Sequence, residues 1–127
     1  MVNVVLAFDF GLKHIGVAVG QTITSSASPL TTVSAREGRP DWRQISELIE
    51  QWRPDLLIVG LPLNMDDSES EMSEKARKFA SRLHAEASLE VILVDERLSS
   101  FEARQLDNDN NHALAARLIA ETWLNQD

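Results

Sequence analysis

Cysteine is absent from the chain, which excludes a disulfide framework and a thiolate zinc site and permits a reducing compartment. No apolar run approaches the length of a membrane span. The N-terminus lacks the basic region and apolar stretch of a secretory signal, so the expected compartment is the cytoplasm, with no membrane partner. A Pro-, Gly- or Ser-rich linker is also missing, so the 127 residues are expected to form one domain, 1–127. A domain of that size buries about two thirds of the surface of its unfolded chain. Positive charge is scarce: 12 Lys and Arg against 20 Asp and Glu give a formal net charge of −8. That balance argues against non-specific adhesion of the whole surface to nucleic acid. It leaves room for a local basic patch around an acidic metal site.

What the chain does have is a carboxylate inside an apolar run. In "AFDFGLKHIGVAVG", residues 7–20, Asp9 ends the run "NVVLAFD". Burying an unpaired carboxylate costs several kcal/mol, roughly, so Asp9 requires hydrogen bonds, a basic partner, a metal ion or water at a strand end. The run itself predicts a strand covered on both faces. "IGVAVG" at 15–20 is a second strand, and Gly11 lies between the two, which predicts an antiparallel hairpin. "PLTTVSA" at 29–35 reads as a third, more polar edge strand.

The periodicity then turns helical. Trp42, Ile45, Leu48, Ile49 and Trp52 follow Pro40, placed for a first helical turn, and Pro54 stops the helix. "DLLIVG" at 55–60 predicts a fourth strand and Met72, Ala76, Phe79, Ala80, Leu83 and Ala87 a second helix. "LEVILV" at 89–94 predicts a fifth strand. "DERLSSFEARQL" should open a short helix, with Ser99 and Glu102 spaced as a capping box. A last helix is expected over 111–124, after the polar tract "DNDNN". The expected fold class is therefore α/β: a five-stranded mixed sheet, made of a three-strand antiparallel meander plus two parallel strands, with helices on both faces.

In such sheets ligands gather at the carboxyl ends of the strands. Asp9 ends the first strand there, Gly60 and Pro62 follow the fourth, and Asp95 and Glu96 follow the fifth. Carboxylates from neighbouring strand ends, with a further ligand from a helix, suit Mg2+ or Mn2+, which take hard oxygen ligands and keep positions open for water and phosphate. Two such ions can clamp the attacking and leaving oxygens of a phosphodiester. The plainer alternative is that Asp9 merely ends a strand while Asp95 pairs with Arg97 or caps the short helix. Lys75, Arg77, Lys78, Arg82 and Arg104 form either a phosphate-facing patch or an ordinary solvated helix face, since Glu71 and Glu74 lie one turn before Lys75 and Lys78. His14 and His84 lack a partner at usable spacing and read as surface residues. Trp42, Trp52, Trp123, Phe79 and Phe101 fall at core spacing.

"AFDFGLKHIGVAVG", "IVGLPLNMD", "ARKFASRL" and "VDERLSSFEAR" resemble, in order, the motifs of the YqgF/RuvX family, from Leu6 to Arg104. The resemblance implies a ribonuclease H-like fold and a divalent-metal-dependent nuclease. Its implied substrate is structured nucleic acid: the 5′ end of the small-subunit (16S) ribosomal RNA precursor or, as the alternative, a branched DNA of Holliday-junction type. By the same resemblance Asp9 is the first-strand acidic residue and Glu96 the second, with Asp95 adjacent. Lys13, Arg97 and Ser99 stand where the family has groups near the phosphate path, although Lys13 also fits a solvated hairpin lysine.

The chain departs from the family after "FEAR". A basic, glycine-bearing loop is shortened to "QLDNDNN", and the family's lysine-X-aspartate-serine motif is missing. Aligned backward from "LIAETWL", the position of its aspartate falls on His112, with no preceding lysine. His112 is then either a third metal ligand or a surface residue of a first helical turn, and Asp107 or Asp109 are the other candidates for the missing oxygen. Loss of that ligand and of the basic loop also leaves room for a catalytically impaired module that only binds nucleic acid or a ribosome-assembly partner.

Overall fold

A computed structural model describes residues 2–62, 70–95 and 111–125. One sheet orders its strands β4-β3-β2-β1-β5-β6. β1 (Val4–Asp9) pairs antiparallel with β2 (His14–Gln21), and β2 with β3 (Ser26–Arg36). On its other side β1 pairs parallel with β5 (Leu56–Leu61), which pairs parallel with β6 (Val91–Asp95). The meander and the two parallel strands are those expected from the apolar runs. Beyond the five expected strands lies a two-residue β4 (Arg39–Pro40), joined to β3 through Glu37 and Gly38. Both turn residues have positive φ, 52° and 82°, the geometry of a two-residue hairpin turn that follows the strand twist.

Pro40 therefore pairs with Ala35 in β4 instead of opening a helix. Helix α1 (Trp42–Trp52) starts at its N-cap Asp41, whose side chain accepts from the Arg43 N–H at 3.1 Å. It ends at left-handed Arg53, whose N–H reaches the Ile49 carbonyl, and Pro54 prevents its continuation. Helix α2 (Glu71–Ala87) is capped by a reciprocal pair, Ser70 and Ser73. Ser73, fully buried, also donates its hydroxyl to the Pro62 carbonyl and so anchors the helix start to the end of β5. Left-handed Ser88 closes α2, so β6 begins at Val91, two residues after the apolar run starts. Helix α3 (Asn111–Leu124) has the expected bounds. The capping box expected at Ser99 and Glu102, and Phe101, lie outside the described residues.

Strand alternation sorts the core into two layers. Leu6, Phe8, Phe10, Val17, Leu57 and Val59 face α1 and α2. Val5, Ala7, Leu56, Ile58 and Val94 face Ile119 and Ala120 of α3. Helices thus cover both faces, and all six residues of β5 are buried, the state that parallel central strands require. Phe79 on α2 centres an aromatic cluster, with the rings of Phe8, Phe10 and Trp42 at 5.8, 5.4 and 5.7 Å. Trp52 and Trp123 pack half-buried against the two layers, so these two tryptophans at core spacing are structural. Among the described residues no helix is long and apolar enough to cross a membrane.

Candidate functional site

Asp9 is the last residue of β1 and is 7 % exposed, on a strand whose other residues are apolar. Its cross-strand partner is Gly16, and directly paired residues point to the same face of a sheet. Glycine is required at that position because the backbone of α3 rests on it: a methyl group there would overlap the His112 carbonyl and crowd the Ala113 nitrogen. The first turn of α3 is therefore seated over the face to which Asp9 points. Helix first turns carry N–H groups without intrahelical partners and the positive end of the helix dipole, both favourable to a carboxylate or phosphate oxygen nearby.

Two imidazoles share this face. The rings of His14, first residue of β2, and His112 lie 4.9 Å apart at 30°. His112 is partly buried and His14 exposed. His112, reached by the backward alignment, thus lies at the Asp9 end of the sheet, and His14, read as a surface residue, is its ring partner. The signal was available in the strand alternation, since His14, Gly16 and Ala18 fall on one face of β2. His84, by contrast, is tied to the Leu89 carbonyl at 2.7 Å at the far end of α2.

Asp95 ends β6 in register with Leu61. Val94 belongs to the layer under α3 and Leu61 to the opposite layer, so alternation turns Asp95 to the side away from Asp9. The two carboxylates share a sheet edge but not a face. Lys13 lines a groove on the α1/α2 side together with Lys75, Lys78 and Arg82. Arg77 points elsewhere, to a shallow depression beside β6. Glu96, Arg97, Ser99 and Arg104, with Asp107 and Asp109, lie outside the described residues. Among the described residues no three His, Asp or Glu side chains form a group able to hold a metal ion. Asp9 nonetheless fits one position of such a group: a nearly buried hard-oxygen donor at a strand end, with an imidazole-bearing helix terminus above its face.

The RuvX family model, described as Holliday junction resolvase, matches residues 3–126. A Nitrosococcus oceani protein named "Putative pre-16S rRNA nuclease" is 55% identical over 133 residues, covering 98% of this chain and 88% of that protein. A Pectobacterium carotovorum protein of the same name is 49% identical over 129 residues, covering 94% and 93%. Among solved structures, Thermus thermophilus RuvC in complex with a Holliday junction substrate is similar with a TM-score of 0.59 at 15% identity, over 96% of this chain and 93% of that one. The yeast mitochondrial Holliday junction resolvase gives 0.57 at 11%, over 94% and 77%. At such identities the structural likeness speaks to the fold alone, a ribonuclease H-like mixed sheet.

Proposed function

Because the chain belongs to the RuvX family, we propose that it is a divalent-metal-dependent nuclease, acting in the cytoplasm on the 5′ end of the small-subunit ribosomal RNA precursor. The observation that carries this reading is Asp9, a carboxylate held nearly buried at the carboxyl end of the central strand under the first turn of α3. Relatives 55% and 49% identical, with names that specify the 16S precursor, support the choice of substrate.

Asp9, Glu96 and His112 are the residues that would hold the cation, magnesium or manganese, and the turn of Asp95 to the other layer favours Glu96 over it as the second carboxylate. When bound, the cation supplies Lewis-acid activation of a water and of the scissile phosphate. The chain's own part is to orient. Asp9 fixes one ligand direction from a rigid strand, and Gly16 lets the first turn of α3, which carries His112, settle over the same face. The N–H groups of the first turn of α3 favour the negative charge that grows on the phosphate oxygens as the bond breaks. His14, packed against the His112 ring, holds that imidazole in place.

A second reading, a resolvase acting on branched DNA, is favoured by the description of the family model. Purified protein incubated with manganese and either a precursor fragment or a four-way DNA junction separates the two. The account expects a discrete RNA product that the Asp9→Asn variant does not make. Cleavage of the junction alone would transfer the assignment to DNA.

A further inference from the structure

On the layer opposite Asp9, the β1–β2 turn, the β3–β4 hairpin and α2 enclose an open groove of about 770 Å³. Its walls carry Lys13, Arg39, Lys75, Lys78 and Arg82 against one carboxylate, Glu37. In a chain of net charge −8 this is a concentration of cations. The fold builds it from three separate segments. Gly38 folds the hairpin over the turn, its N–H donating to the Leu12 carbonyl at 2.9 Å and its α-carbon against the Phe10 ring, which brings Arg39 across from α2. Spacing along α2 places Lys75, Lys78 and Arg82 on one side.

Among the described residues most of these cations lack a strong ion pair. Among the described residues no carboxylate lies within ion-pair distance of Lys13, Arg39 or Lys78. Lys75 meets the exposed Glu71 only at 3.9 Å, and exposed pairs of this kind are weak and easily displaced. Arg82 is pre-oriented by Glu86 at 2.9 Å and by the Trp42 ring, whose centroid lies 4.9 Å from its guanidinium carbon. Beneath them half-buried Trp42 and, on the rim, Leu12 at 37 % exposure offer apolar surface over the buried rings of Phe10 and Phe79. A row of cations beside a strip of apolar surface suits a strand with phosphates along one side and unstacked bases on the other. A duplex, with its bases stacked inside, has nothing to place on that strip.

We propose that this groove binds a single-stranded segment of the RNA substrate that adjoins the cleavage point, with phosphates on Arg39, Lys75, Lys78 and Arg82 and bases against Leu12 and the exposed part of Trp42. The proposal rests on the reading of the chain as an RNA nuclease. Phe10 follows Asp9 directly and points to the other layer, so a strand leaving Asp9 has to cross only the β1–β2 turn to enter the groove. Recognition here is independent of sequence, because the contacts are to phosphates and apolar surface and not to base edges.

The test is binding, separated from cleavage by working in the Asp9→Asn protein. Affinity for a labelled single-stranded RNA oligonucleotide is measured by fluorescence anisotropy across a salt series. The comparison is between Arg39→Glu/Lys78→Glu and a control of equal charge change on α1 and its cap, Arg43→Glu/Arg53→Glu. The groove variant should bind roughly tenfold or more weakly, and its plot of log affinity against log salt should be shallower by about 1.4, or 0.7 for each lost phosphate contact. The control should bind within about threefold of the parent and keep its slope. Arg39→Gln/Lys78→Gln replaces the reversal variant if thermal unfolding shows that the latter misfolds. Unchanged binding by the groove variant, an equal loss in the control, or a loss for duplex RNA alone would each overturn the proposal. If the groove variant binds normally while Asp9→Asn abolishes cleavage, the groove fails and the nuclease reading survives. Should Asp9→Asn cleave like the parent, the nuclease reading fails and the binding result stands apart from it.

Discussion

The carbonyl of His112 lies against the α-carbon of Gly16, directly across the strand pair from Asp9. This contact fixes where the last helix begins relative to the buried carboxylate. It ties the fold and the proposed chemistry to one glycine.

Gly16→Ala should therefore damage both. The methyl group meets backbone on the His112 side, which cannot rotate away, and overpacking of this kind costs about 1–3 kcal/mol. For a chain of this length that corresponds to a fall in Tm of roughly 4–11 °C. Cleavage should fall further than stability explains, because α3 must tilt away from Asp9. A variant with parental Tm would show that the helix does not sit on Gly16.

Asp55 gives a prediction for pH. Its carboxylate accepts from the Asn3 N–H at 2.8 Å and the Val4 N–H at 3.1 Å, pinning the start of β1 beside β5. These two bonds, Asn3 first, hold its carboxyl below the usual carboxylate range. A lowered folded-state pKa means the stabilisation is present above the ordinary carboxylate pKa and is lost as pH falls through the folded value. Asp55→Asn should thus be less stable than the parent near neutrality, with the gap closing in acid. Urea midpoints across an acid-to-neutral series check this, and a gap that widened in acid would reverse the assignment.

His112 tests the third ligand. His112→Asp should strengthen magnesium-supported cleavage, since an oxygen donor suits the harder ion, and His112→Ala should weaken manganese binding. Calorimetric titration of manganese reads the second effect without any turnover. Equal manganese affinity in the parent and His112→Ala would remove His112 from the site and leave it as a packing partner of His14.

Much of this was legible in the residues. The apolar runs at β1, β2 and β5 and the helical spacing in α1 and α2 are local signals, and α3 matched its expected bounds because a polar tract precedes it. β4 was not legible, because a two-residue strand has no periodicity; its sign was Gly38, a residue suited to positive φ, and Pro40 was misread in consequence. β3 begins at Ser26, ahead of the expected 29, because pairing with β2 extends through residues too polar to announce a strand. Asp9 stood out as a carboxylate in an apolar strand. That Asp95 faces away required the register with Leu61, and the contact of His14 with His112 is made only by the docking of α3 on Gly16.

Asp9→Asn, which keeps shape and removes charge, tests the central claim most directly. Manganese-dependent cleavage of the precursor RNA is measured alongside thermal unfolding of the same preparation. The account predicts that cleavage falls by orders of magnitude while Tm holds or rises slightly, because a nearly buried carboxylate is costly to keep charged in the absence of metal. Unchanged cleavage by the rigorously purified variant would contradict it.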